Sequence, residues 1–243
     1  MIGGRGPFAG WPAAAVALVD RAAERHGGWT RFAALSSVTL EFAELGGALP
    51  RMKGYGRTFG KPTRITVWPH ECRVRFGDYA GGDGVFDRGD VRLERDGVAV
   101  AESRDHRATF AGAQRRRRWQ PLDALYFFGY ATANYLAQPF LLSHARHLAS
   151  DASSVLVEFS PDWPAHCRVQ RFWFRDDGLQ YRHDYTADIV SRWARGAHFV
   201  EDYVEVDGLW FPRVRRVVAL LGRWVTPLVV LHARFGAITT SGS

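Results

Sequence analysis

The residues best suited to chemistry fall in two neighbouring stretches, "PAHCRVQRFWFRDDGLQYRHDY" and "GAHFVEDYVEVDGLWFP". They contain His166, Gln170, His183, Tyr185 and His198. A histidine near neutrality can act as general base or acid, and a tyrosine hydroxyl can donate to a developing oxyanion. The same groups could instead shape the polar end of a ligand, or, as buried polar groups commonly do, simply hydrogen-bond one another.

Which of these side chains share a face depends on register. A two-residue loop at Asp177-Gly178 sets Arg171 opposite Asp184 and Trp173 opposite Arg182, an ion pair and a cation–π pair on one face. The other face then carries Gln170, Phe172, Phe174, Tyr181, His183 and Tyr185. His183 and Asp184 are adjacent in sequence and point to opposite faces, so they form no His–Asp pair. Folding the next strand alongside places His198 opposite Tyr185. In the same flat register His166 lies roughly 20 Å from His183, at ~3.3 Å per residue, so a three-histidine metal site is not expected.

The elements that must hold these residues are mostly strands. "SSVTLEFAEL" and "TRITVWPHECRVRFGDY" alternate with period two, and Asp96-Gly97, Asp177-Gly178 and Asp207-Gly208 each separate two such runs. Asp-Gly between alternating runs signals a tight hairpin, because both central residues need positive φ. About ten strands are expected, in a mainly β (α+β) fold: a strongly curved antiparallel sheet, an unclosed half-barrel, with helices over its concave face. One of those helices is N-terminal, on the spacing of Ala14, Leu18, Ala22 and Ala23 before Gly27-Gly28.

The other is the segment "PLDALYFFGYATANYLAQPFLL", residues 121–142, which follows Arg115 to Arg118. Its length suits a bilayer crossing and the arginines would be a positive flank. Asp123, Asn134, Gln138 and Pro139 speak against that, as does antiparallel sheet on both sides. Pro121 favours a helix start, and Pro139 a stop or kink. Phe127, Tyr130 and Tyr135 belong to an apolar surface that runs nearly all round, so this helix needs cover on more than one side. It is expected to serve as a lid.

Bulk composition adds limits. The 243 residues are read as one domain, 1–243, without a linker or composition break, and 14% aromatics suit a wide apolar interior. Net charge is +7, and every basic residue except Lys53 and Lys61 is arginine, which reads as a solvated basic exterior rather than a nucleic-acid surface. Cys72 and Cys167 are too few for a disulfide scaffold and lack metal-ligand spacing; half-buried thiols are expected, and a bridge between them stays open. Asp20 and Arg21 interrupt the N-terminal apolar run where signal cleavage would fall, so the protein is expected to be cytoplasmic. No phosphate loop, nucleophile elbow or HExxH occurs, and no cofactor or metal is expected.

The helix "WQPLDALYFFGYATANYLAQPFLL", the segment with "RHDY" and the strand "DGLWFP" resemble an uncharacterised bacterial family carrying W-x-x-L-x-x-x-Y-F-x-G-Y-A-x-x-N-Y-x-x-x-P-F, H-x-x-x-Q, R-H-D-Y and D-G-L-x-F-P motifs. "HGGW" and "DGLWFP" are also similar to the lipoprotein-carrier superfamily of LolA/LolB type. The resemblance implies an unclosed half-barrel with helices plugging an apolar cavity. Its motif positions are His166, Gln170, Arg182, His183, Asp184, Tyr185, His198 and Pro212. The chain departs from the carriers in lacking a convincing export signal and a lipobox cysteine.

Three functions follow as expectations. In the first, the half-barrel binds a hydrophobic or lipid-like small molecule, contacted by Gln170, Phe172, Phe174, Tyr181, His183, Tyr185, Phe127, Tyr130 and Tyr135. In the second, a cofactor-free isomerase, cyclase or hydrolase uses His183, Tyr185 and His198 as its acid–base groups. The third, nucleic-acid binding through Arg115 to Arg118, is the least favoured, because the aromatics point inward.

Overall fold

A computed structural model describes residues 8–55, 59, 63–112 and 117–242; Arg115 and Arg116 lie outside them. The alternating runs of the first half form six strands: β1 (Leu35–Gly46), β2 (Thr63–Trp68), β3 (Arg73–Tyr79), β4 (Gly82–Asp87), β5 (Asp90–Arg95) and β6 (Val98–Ser103). Four shorter strands follow residue 144: β7 (Ala145–Ser150), β8 (Ser154–Phe159), β9 (Val169–Phe174) and β10 (Gln180–Thr186). Three long ones complete the fold: β11 (Arg195–Val206), β12 (Leu209–Leu221) and β13 (Trp224–Gly242).

All thirteen, rather than about ten, make one antiparallel sheet in the order β6-β5-β4-β3-β2-β1-β13-β12-β11-β10-β9-β8-β7. The first half walks outward from β1 to one edge. The second half starts at the other edge and walks back until β13 pairs with β1, from Leu35 opposite Gly242 to Gly46 opposite His232. The edge strands β6 and β7 are not neighbours, so the sheet is open.

The chain between β6 and β7 therefore has to travel from one edge to the other. Helix α4 (Pro121–Leu136) lies in that crossing and keeps the start expected at Pro121. A capping box joins Gln120 and Asp123, and Asp123 also accepts from Arg117 (2.5 Å) and pairs with His106 (2.9 Å). Every residue from Asp123 to Leu136 is buried. One side packs on β2 to β5. Gly129 lies so close to β4 that a Cβ there would stand 2.3 Å from Phe86 Cβ. The other side faces His198 of β11, Arg215 of β12 and Phe235 of β13, so the sheet wraps the helix.

Helix α1 (Ala13–Arg25) buries Ala15, Leu18, Val19, Ala22 and Ala23, whereas Ala14, expected on that face, is exposed. It packs on the hairpin turns: Arg21 and Arg25 lie against Gly178. The short helices α2 (Trp29–Ala33) and α3 (Ala48–Lys53) flank β1. No helix among the described residues is long and apolar enough to cross a membrane.

Local turn chemistry holds at two of the three Asp-Gly sites. Asp96-Gly97 and Asp207-Gly208 have positive φ at both residues, as a two-residue hairpin requires. At the third site the expected loop is wrong. Arg175 N–H bonds Leu179 O (2.8 Å), leaving a three-residue loop, and a bulge at Tyr181 restores the register, with Arg182 opposite Trp173 and Asp184 opposite Arg171. Gln180 thus takes the inward place expected for Tyr181, which is half-buried. Asp184 takes its ion pair from Arg182 (2.6 Å) rather than Arg171, which bonds Ser154 Oγ. The Arg182 guanidinium lies 5.3 Å from the Trp173 ring centre.

Candidate functional site

Pairing of β10 with β11 sets His183 opposite His198 and Tyr185 opposite Gly196, two residues from the expected register and on the same face. A second correction concerns His166. Strand β9 begins only at Val169, so His166 belongs to the preceding loop, which folds back under the sheet. Its backbone O accepts from Asp188 N (3.1 Å), and its ring lies 6.4 Å from that of His183 rather than roughly 20 Å away. His166, His183 and His198, with Tyr130, Tyr135 and Tyr185, therefore form one buried cluster.

Hydrogen bonding assigns the protons in this cluster. His183 Nε2 lies 2.5 Å from Gln170 Oε1, which can only accept, so Nε2 carries the proton. His183 Nδ1 accepts from Gln138 Nε2 (3.3 Å), and Gln138 Oε1 accepts from Gln180 Nε2 (2.9 Å). Gln170 Nε2 in turn donates to Cys167 O (2.6 Å). Burial, then the charge of Arg215, lowers the His183 pKa to about 3, so a neutral imidazole is locked between amides. His166 is likewise used at both nitrogens, by Tyr130 (3.0 Å) and Tyr135 (2.7 Å), and stacks on Tyr185 at 3.8 Å. Burial raises the Tyr185 hydroxyl pKa well above its ordinary value.

His198 and Arg215 differ. Neither ring nitrogen of His198 has a hydrogen-bond partner, although the residue is 1% exposed. Arg215, 3% exposed, donates through Nη2 to Tyr135 O (3.1 Å), while Nε and Nη1 have no acceptor. Its guanidinium lies 4.4 Å from the Tyr135 ring centre. Burial lowers the Arg215 pKa to about 10, against the neighbouring Tyr135, Tyr203 and Tyr185, which act to raise it. His198 is held well below its ordinary value by burial, then by Arg215, His183 and His166.

The wide interior expected from the aromatic content is largely filled by α4 and these rings. Two adjoining spaces remain beside α4. An inner hollow of about 20 Å³ is lined by Phe127, Phe128, Tyr135, His198, Arg215 and Phe235, among others. An outer hollow of about 150 Å³ is bounded by Leu49, Phe127, Tyr185, Val190, Val217 and Leu231, with Met52, Trp193 and Leu221 at its exposed rim. Phe127, Val217 and Leu231 line both. Among the residues expected at a site, Phe127, Tyr135, Tyr185 and His198 border these spaces. Tyr130, Gln170 and His183 stand behind them in the hydrogen-bonded cluster, Phe172 stacks on His183 at 4.3 Å, and Phe174 is buried.

A third space, about 260 Å³, lies between α2 and residues 140–144; His70 Nε2, Trp29 Nε1 and Trp163 Nε1 in its lining each have a partner. Both thiols are free: Cys72 is buried in a left-handed turn, and Cys167 accepts from Thr186 N. Among the described residues, no group of three or more His, Cys, Asp or Glu is placed to hold a metal ion.

Sequence reasoning missed Arg215, Gln138 and Gln180. In "RVRRVVALL" the valines Val214 and Val217 are three apart, so period two cannot say which arginine faces inward. The Gln138–Gln180 contact depends on the Tyr181 bulge, which has no local signal.

No family model and no curated protein matches this sequence. Among solved structures, the chain is similar to a LolA superfamily protein from Nitrosomonas europaea, with 13% identity and a TM-score of 0.47, over 93% of each chain. It is also similar to a DUF1329 family protein from Desulfovibrio piger, with 14% identity and a TM-score of 0.41, over 97% of this chain and 94% of that one.

Proposed function

We propose that the protein binds a hydrophobic or lipid-like small molecule in the outer hollow. The observation that carries this reading is the hollow itself: apolar walls, no acidic side chain in its lining and an exposed rim of Met52, Trp193 and Leu221. Apolar pockets with a few placed polar groups are how small-molecule sites are usually built; here Tyr185 and Arg195 line the outer hollow, and Tyr135, Arg215 and His198 line the inner one. An apolar cavity of about 150 Å³ accommodates a group the size of benzene, so a ligand would place about six carbons inside and extend the remainder past the rim.

Native mass spectrometry of the gently purified protein, with and without added 1-octanol, tests this reading. A single bound mass, lost when Leu231→Trp fills the hollow, is the expected result. A protein that takes up no apolar ligand in either form would overturn it.

A further inference from the structure

Resting on that reading, we infer that the bound molecule is an amphiphile with a carboxylate head, held at the inner hollow by Arg215 and His198. Arg215 has five N–H donors and uses one face to reach Tyr135 O; Nε and Nη1 remain without acceptors, and no carboxylate of the described residues pairs with it. Leaving an arginine buried and uncompensated costs several kcal/mol unless something of opposite charge joins it. Beside it, His198 offers an imidazole with both nitrogens open. The inner hollow, lined by both, contains no acidic side chain. A guanidinium and an imidazole N–H together match the two oxygens of a carboxylate.

The small size of the inner hollow, about 20 Å³, favours a planar carboxylate over a bulkier phosphate. Phe127, Val217 and Leu231 border both spaces, and the alkyl tail passes between them into the outer hollow. The lining of the outer hollow likewise includes no Asp or Glu, while Arg195 borders it.

Octanoate and 1-octanol have tails of the same length and differ in the head, so their affinities separate this inference from the reading beneath it. Calorimetric titration at pH 7.5 in 0.15 M salt, which screens the exterior arginines, should give octanoate an affinity about tenfold or more above that of octanol. In Arg215→Met the ratio should fall to about one, and in His198→Leu it should fall by a smaller factor. Equal affinities in the wild-type protein would overturn the carboxylate assignment and leave apolar binding intact. A ratio unchanged in both variants would also overturn it, because the preference would then come from the exterior. Binding of neither ligand would remove the reading on which it rests.

Discussion

His183 shows how much of this site is decided by hydrogen bonding at single atoms. Its Nε2–H donates to Gln170 and its Nδ1 accepts from Gln138, so the ring has no nitrogen left to take a substrate proton. His26, His166 and His198 are buried as well, and burial pushes each below its ordinary value, His26 to about 4. A folded-state pKa below the unfolded one means that the unfolded chain binds protons first as pH falls. Stability is therefore complete above about pH 6.5 and declines toward about pH 3, by up to about 1.4 kcal/mol per pH unit for each histidine. Urea midpoints measured at pH 7.5, 6 and 5 should fall in that order. Equal midpoints at pH 7.5 and 5 would contradict neutral burial.

At the scale of the element, α4 lies over the concave face of the sheet, as expected, and is packed there on both sides. It is apolar nearly all round, and the structure buries it from Asp123 to Leu136. A Gly129→Ala variant distinguishes a seated helix from a loose one by sign. In a helix free of the sheet, alanine would add about 1 kcal/mol of stability. Against Phe86, whose Cβ would stand 2.3 Å away, it should cost about 1–3 kcal/mol, seen as a lower urea midpoint. A higher midpoint would show that the helix is not packed as described. Much of this level was legible in the sequence: Pro121 as the start, the stop before Pro139 and the hairpins at Asp96-Gly97 and Asp207-Gly208 all rest on local backbone chemistry. The Tyr181 bulge and the fold-back of His166 were not legible. They arise where α1 presses on Gly178 and where the loop after β8 turns under the sheet, contacts remote in sequence.

For the whole molecule, the governing fact is the seam between β1 and β13, which joins the first and last strands and makes the two halves one sheet of thirteen strands. Alternation and turn signals identify strands but carry no information on which strand meets β1, so an open curved sheet could be expected while its order could not. Aromatic content suggested a wide apolar interior. Rings of the sheet instead pack on α4, as Phe86 does against Tyr126 and Phe42 against Phe128, and two adjoining hollows remain beside it. Whether the larger one takes an apolar molecule is the claim on which the account stands. Methyl-resolved NMR during a 1-octanol titration measures it directly. Saturable shifts confined to Leu49, Val190, Val217 and Leu231 are predicted. Shifts that never saturate, or that spread over the exposed Val98, Leu148 and Val169 instead, would contradict it.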